Sequence, residues 1–321
     1  MSISRHIEVE PLREADIEEA HRICRLAFGT FLGLHNPLDF MDDRNFIAPR
    51  WRAGHVEAIA AREGDRLIGS NLATRWGSFG FFGPLTILPE YWGQGVAQRL
   101  LQATLAIFER WGVRHTGLFT FAHSAKHVGL YQKFGYWPQY LTALMSRILE
   151  DNSQTQAKCR DAMRFLSELP TKEREQAIMA CSRLTHDIEK GLDLSGEIQA
   201  VCAHGGGDVV FTYTEGVLDA FAVCLNGSGT EGGEKTCYVK FGAARGGAGA
   251  AERFDQLLDA CEAFARSRQA NVEAGVNLAR RNAYERMRAR GYRVMTQGVA
   301  MQRPPVDGFN REDVYVMDDW R

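Results

Sequence analysis

The stretch from Leu85 to Trp111, LTILPEYWGQGVAQRLLQATLAIFERW, sets the tightest limit on what this chain can fold into. It opens with an apolar run, Leu85 to Leu88, which reads as a buried strand. Pro89 has no N–H to donate and ends the ladder. Trp92-Gly93-Gln94-Gly95-Val96-Ala97 then make a tight glycine-bearing loop. After it, Val96, Leu100, Ala103, Ile107 and Trp111 recur at spacings of three and four, so they line one face of a long helix. Strand, glycine loop and helix gather unpaired backbone N–H groups and the positive end of a helix dipole at one point. Gly95 and Ala97 carry no bulky side chain, so a phosphate can approach the backbone closely. A lone Gly-x-Gly is equally what a plain packing turn contains, and by itself the loop leaves both readings open.

A second pattern follows at His123-Ser124-Ala125-Lys126-His127-Val128-Gly129-Leu130-Tyr131-Gln132-Lys133-Phe134-Gly135-Tyr136. The two patterns together resemble the GNAT acyltransferase superfamily. Its signatures are (Arg/Gln)-x-x-Gly-x-(Gly/Ala) at a strand-to-helix junction and Asn-x-x-Ala-x-x-Leu-Tyr-x-Lys-x-Gly-Phe downstream. Trp92 stands where Arg or Gln is usual, a departure that leaves the backbone cradle intact. Leu130-Tyr131, Lys133 and Gly135-Tyr136 match in register, whereas Ser124 replaces the usual Asn and His127 the usual Ala. Two motifs in order, with a strand-like Leu118–Ala122 between them, carry the resemblance. It implies an α/β fold of the α+β kind, with a mixed, mostly antiparallel central sheet flanked by helices. It also implies acetyl-CoA as co-substrate and no metal. The pyrophosphate would lie on the loop from Trp92 and Gly93 through Gln94, Gly95, Val96 and Ala97 to Gln98. Backbone groups of Leu85 and Ile87 would pair with the pantetheine arm as an added strand does. Tyr131 would give the departing thiolate its proton.

At 321 residues the chain is about two ordinary domains long. A net charge of −2 implies no bulk attraction to nucleic acid or to an anionic membrane. No stretch reaches the length needed to cross a bilayer. Cysteines at 24, 159, 181, 202, 224, 237 and 261 form no CxxC pair. With no apolar leader in MSISRHIEVEP, they read as buried thiols of a cytoplasmic protein. A homodimer stays open.

Along the chain, His6–Glu10 alternates like a strand, and Glu14–Phe28 has Ile17, Ala20, Ile23 and Ala27 at helical spacing. Gly29 to Arg52 is irregular and rich in rings: Phe31, His35, Phe40, Phe46 and Trp51. The resemblance makes this region the wall of the acceptor side, and simple packing against the sheet is the competing reading. Val56–Arg62 and Leu67–Phe79 predict paired strands about a Glu63-Gly64-Asp65-Arg66 turn. Phe81–Leu88 leads into the loop, and Gly83-Pro84 inside it predicts a bulge where the strand splays away. By resemblance, that splay is the slot for pantetheine. His115–Ala122 reads as a strand, Ser124–Phe134 as a helix and Trp137–Ile148 as a closing strand pair. Asp151 to Gly191 predicts two helices broken at Pro170, packed between or against the halves.

The second half repeats the first in outline, which predicts two tandem GNAT-like folds. The expected division is a catalytic domain at 1–148, a helical linker at 149–195 and a second, degenerate GNAT-like domain with a tail at 196–321. An ungapped alignment of Leu257-Leu258 with Leu100-Leu101 sets Glu252 against Gly95 and Phe254 against Ala97. On that alignment the second loop repels and blocks a pyrophosphate. The arginines from Arg280 to Arg293 read as a solvated helix face opposite Ala279, Ala283 and Met287. The apolar tail, with Val314, Val316, Met317 and Trp320, is expected to dock onto the body.

The resemblance implies an acetyl-CoA-dependent N-acetyltransferase. The acceptor would be a primary amine of a small molecule, amino acid or peptide, attacking directly in a ternary complex. A non-catalytic acyl-CoA-binding sensor is the other class, and an intact Tyr131 favours the enzyme. A phenol with a pKa near 10 (about the reference value) stays protonated at neutral pH. Ser124 either reaches the coenzyme or simply caps its helix. His123, at a strand end just before the Tyr131 helix, is the leading candidate for a base, against the commoner structural role of a lone histidine. Glu57, Asp39 and His35 are the other candidates, since Ser78 to Phe82 holds no acid.

Overall fold

The computed structural model of the protein describes residues 6–150 and 163–321. Its first half runs β1 (Ile7–Pro11), α1 (Ile17–Phe31), α2 (Ala48–Arg52), β2 (Val56–Glu63), β3 (Arg66–Trp76), β4 (Phe79–Phe82) and β5 (Thr86–Ile87). It continues through α3 (Val96–Trp111), β6 (His115–Thr120), α4 (Ala125–Gln132) and β7 (Trp137–Arg147). Then come β8 (Met163–Phe165), α5 (Thr171–Ile188) and α6 (Ser195–His204). The second half has β9 (Gly207–Thr214), β10 (Val217–Gly227), β11 (Gly233–Ala244), α7 (Ala250–Ser267) and β12 (Asn271–Asn277). It closes with α8 (Arg281–Ala289), β13 (Arg293–Arg303) and β14 (Val316–Met317).

All the described strands join one sheet, in the order β1-β2-β3-β4-β6-β13-β7-β12-β11-β10-β9-β8, with β5 beside β3 and β14 beside β11. Neighbours are antiparallel except β4 with β6 and β11 with β12. Each of those parallel pairs needs a crossover, which α3 and α7 supply. The middle of the sheet is an exchange. β13 from the second half lies on β6 through Val299↔Thr120 to Arg303↔Thr116, while β7 from the first half lies on β12 through Val272↔Arg147 to Asn277↔Thr142. β7 and β13 therefore each complete the other half's sheet, and they pair with each other at the centre.

Helix α3 buries Val96, Leu100, Leu101, Ile107 and Phe108 against β2 and β3, and its Thr104 hydroxyl accepts from Asn71 Nδ2 at 2.8 Å. On the other face, Leu169, Cys181, Leu184 and Ile198 pack with Trp76, Phe79 and Phe81 of the first half and Phe211, Phe221 and Phe241 of the second. The helices between the halves thus share one core with both. At roughly 25 cal/mol per Å² of buried apolar area, such a cluster ties the halves together far more firmly than a flexible linker does.

Several elements differ from expectation. Trp137–Ile148 is one long strand rather than a closing pair, because β13 supplies the second strand. The expected strand Leu67–Phe79 ends at Trp76, where Gly77 turns at φ 66° before β4 begins. The first of the two helices expected between Asp151 and Gly191 falls mostly outside the described residues. Its end, Met163–Phe165, is a short strand on β9. Cys202 is exposed, while Cys24, Cys181, Cys224, Cys237 and Cys261 are buried; Cys159 lies outside the described residues. Among the described residues no helix is long and apolar enough to cross a membrane.

Candidate active site

β4 and β6 pair only from Phe79↔His115 to Phe81↔Gly117. Beyond Gly83-Pro84 the chain leaves β6, and β5 pairs with β3 instead, at Ser70↔Thr86 and Gly69↔Ile87. The gap opens into a cavity of about 780 Å³. The Leu88 N–H donates to the Ile68 carbonyl at 2.9 Å, so the alternation of antiparallel pairs turns the amide groups of Ile87 away from β3 and towards the gap. Leu85 and Ile87 both line the cavity.

The glycine loop stands at the mouth. Gly93 and Gly95 both have φ 79°, a left-handed conformation that side chains disfavour. A Cβ at either would meet nothing within 4 Å, so backbone conformation demands the glycines while the space above them stays open. Trp92 Nε1 donates to the Ile87 carbonyl at 2.9 Å and pins the loop to β5. The Lys126 ammonium lies 5.6 Å from the Trp92 ring centre. Trp92, Gly93, Gly95, Val96, Ala97, Gln98, Lys126 and Lys133 all line the cavity. Gln94 does not; its side chain donates to the Glu90 carbonyl at 2.7 Å.

Tyr131 lines the same cavity from α4, with its ring 5.8 Å from Phe82. Burial, and then Tyr136 beside it, push its phenol well above the ordinary value, so it holds its proton throughout the neutral range. Ser124 is the N-cap of α4, accepting from the His127 N–H at 3.4 Å, and is not among the cavity-lining residues. His123 is exposed against Phe31 and does not line the cavity either. One helical turn on, His127 does, packed on Phe31 at 4.8 Å. Burial, with Lys126 and His123 adding to it, lowers its pKa and keeps the imidazole neutral. Of the other base candidates, Glu57 binds Arg110 and the Trp111 indole, Asp39 accepts from Asn36, and His35 is exposed; none lines the cavity.

The inner end brings together residues that no sequence pattern singled out. Leu144 of β7, Thr296 of β13, and Trp320 and Arg321 of the tail all reach this cavity. Trp320 crosses β6 where Gly117 has no side chain; a Cβ there would collide with the indole. Trp320 itself has φ 54°, a conformation that a bulky residue adopts only where its surroundings hold it. Phe31, Phe40 and Phe46 of the ring-rich segment line the cavity, whereas Trp51 donates to the Leu12 carbonyl and packs on the core.

The second half repeats this geometry with a different filling. β11 and β12 pair from Thr236↔Asn271 to Val239↔Ala274 and then part. Gly247 and Gly249, at φ 83° and 77°, precede α7 as Gly93 and Gly95 precede α3. Gly249, not Glu252, is therefore the counterpart of Gly95, and the ungapped alignment was displaced by three residues. The gap itself holds β14, paired to β11 at Gly242↔Met317 and Ala243↔Val316. Arg280, expected on a solvated face, is buried; it donates to the Val316 carbonyl at 2.8 Å and pairs with Asp318 at 2.8 Å.

A splayed parallel strand pair, a left-handed glycine loop at its mouth and a tyrosine helix behind it define the GNAT fold, here present twice. The chain folds as two GNAT-like units in tandem, and its residues 20–136 match the Acetyltransferase (GNAT) family. Among solved structures, a putative acetyltransferase from Pyrococcus horikoshii aligns with a TM-score of 0.68 at 14% identity, over 98% of this chain and 95% of that one. A tandem GNAT protein from the clavulanic acid biosynthesis pathway aligns at 0.56 and 11%, over 92% and 98%. A GCN5-related N-acetyltransferase from Sphaerobacter thermophilus aligns at 0.54 and 13%, over 92% and 95%. These likenesses are of fold. No curated protein matches the chain in sequence.

Proposed function

We propose that the protein is an acetyl-CoA-dependent N-acetyltransferase that acylates a primary amine directly in a ternary complex, with the first half catalytic. One observation carries the reading: the open glycine loop, the edge of β5 turned away from β3 and Tyr131 all line one cavity. The residues present fit the coenzyme. Backbone N–H groups after Gly93 and Gly95 suit a pyrophosphate. Lys126 and Lys133 add positive charge there, and the edge at Leu85 and Ile87 suits the amides of the pantetheine arm. When bound, the coenzyme supplies an activated acetyl thioester. Tyr131 holds a proton on its hydroxyl, within the cavity where the sulfur would leave. His127, neutral and lining the same cavity, takes the place of His123 as the residue to receive the proton shed by the amine. The test is release of free thiol from acetyl-CoA across a panel of amines. Amine-dependent release supports the enzyme; coenzyme binding with no release for any amine would favour a non-catalytic sensor.

A further inference from the structure

We infer that the acceptor is a monoamine carrying an apolar, aromatic body, and not a polycation such as a polyamine or an aminoglycoside. The inference rests on the reading of the cavity as an acyltransferase site and names the class of molecule it takes. Much of the cavity wall is rings: Phe28, Phe31, Phe40, Phe46, Phe121 and Trp320. Phe28 and Phe40 stack at 5.1 Å, and Phe31 meets Phe121 at 4.9 Å. Phe28, Phe31, Phe40 and Phe121 line the cavity and are only half-buried. Such faces accept offset or edge-on aromatic partners and exclude water around them.

Charge points the same way. Among the described residues, no aspartate or glutamate lines the cavity; its ionic groups are Arg50, Lys126, Lys133 and Arg321. The nearest buried acids are already matched by cations. Glu231 binds Arg50 at 2.6 Å and Lys240 at 2.8 Å, and Glu273 binds Arg44 at 2.8 Å and Arg321 at 2.6 Å. A second or third ammonium on the acceptor would find no acid on the cavity wall to pair with. A single amine gains from the same surroundings, because apolar walls lower its pKa and favour the neutral nucleophile. In the transfer, the amine nitrogen forms the new bond to the acetyl carbon as the carbon–sulfur bond breaks. The proton the amine sheds is balanced by the one the sulfur gains, and no other reactant is needed.

The experiment has two arms on the full chain. Calorimetry of phenethylamine, tryptamine and spermidine into the coenzyme-free protein reads the pocket directly. Thiol release from acetyl-CoA with the same amines reads turnover. The expected result is binding of the two aromatic amines, with kcat/KM at least tenfold above that for spermidine. Phe31→Glu, which places a carboxylate on this wall, should cut kcat/KM for the aromatic amines on the order of tenfold or more and raise that for spermidine. Phe31→Leu, which keeps the wall apolar, should fall between the two. Tighter binding or faster turnover of spermidine by the unaltered protein would overturn the acceptor class while leaving coenzyme use standing. Loss of coenzyme binding, with aromatic amines still bound, would overturn the acyltransferase reading and leave the pocket's chemistry as inferred.

Discussion

Gly242 of β11 lies opposite Met317 of β14, so the tail runs as a strand inside the gap that the second half's parallel pair opens. The first half leaves the corresponding edge of its gap to the cavity. Around the tail the fit is tight on every side. A Cβ on Gly242 would press on the Met317 methyl at 2.7 Å, one on Gly275 of β12 would run into Asp319, and the Tyr238 hydroxyl donates to Asp319 at 2.9 Å. The second half keeps a left-handed glycine loop, but its slot is taken by the chain itself.

Coenzyme should therefore bind once per chain. Calorimetry with coenzyme A is expected to give a stoichiometry of one. Gly95→Glu should abolish binding, since it sets a carboxylate on the loop and forces a side chain into φ 79°. Thermal unfolding of the variant checks that it remains folded. A stoichiometry of two, or full binding by Gly95→Glu, would show that the tail does not close the second slot or that the first loop does not hold the coenzyme.

The strand exchange makes a second prediction. A fragment ending at Ile148 lacks β13, so β6 loses its antiparallel neighbour from Thr116 to Thr120 and β7 loses both of its own. It also lacks Thr296, Trp320 and Arg321 from the cavity and leaves Trp76, Phe79 and Phe81 bare of their helical cover. Unpaired edges and exposed rings of this kind aggregate. Size-exclusion chromatography should show aggregate or very little soluble material, and a monodisperse, active fragment would mean that the first half closes its own sheet.

Much of this was legible in the sequence, for reasons tied to range. The loop, the break at Gly83-Pro84 and the tyrosine helix are local patterns, and each lies where residue spacing put it. What local spacing cannot show is which strand lies beside which. Trp137–Ile148 reads as strand whether its partner is its own continuation or β13, and the exchange is decided by register with residues some 150 positions away. Trp320 and Arg321 stayed hidden as cavity residues for the same reason, because they reach it only through the docked tail. Gly247-x-Gly249 was visible but misaligned, since matching leucine pairs on two helices ignores the different distance from loop to first leucine. His123 precedes α4 and is exposed, while His127 lies within α4 and lines the cavity, a difference that their spacing alone does not reveal.

Glu197 of α6 ties the halves' shared core to the first half and makes an acid-stability prediction. It accepts from the Trp76 indole at 3.0 Å and pairs with His55 at 3.2 Å. Burial alone would raise its pKa, but His55, Lys240 and the indole outweigh burial and hold it down at about 2. A carboxyl depressed in the folded state stabilises above its unfolded value, near 4.5, and that stability is lost as pH falls towards 2. The amount at neutral pH is roughly 3 kcal/mol at most. Glu197→Gln should lower the midpoint of urea unfolding at pH 7 and flatten the decline in stability between about pH 4.5 and 2. Equal slopes for the two proteins across that window would remove Glu197 as its source.

Tyr131 carries the most specific prediction. As the proposed general acid, its hydroxyl would act only as the carbon–sulfur bond breaks, so its contribution would belong to the transition state and not to binding. Burial makes the phenol a weaker acid than it is in water. The leaving thiol ionises near pH 8.5 (roughly, by analogy with cysteine), so it departs without a strong donor and full transfer from the phenol is uphill. Tyr131→Phe keeps the ring against Phe82 and removes only the proton. The loss should lie at the low end of general-acid effects, on the order of a hundredfold in kcat, with coenzyme affinity unchanged. The raised pKa also fixes the pH dependence. A phenol that stays protonated beyond its ordinary value gives no alkaline limb from Tyr131 below about pH 10, so the ratio of wild-type to variant kcat should be flat from pH 7 to 9.5. A ratio that falls within that range would mean the phenol ionises there and is not buried as described. An unchanged kcat would leave water as the proton source, and a large loss of coenzyme affinity with kcat preserved would make Tyr131 a binding residue.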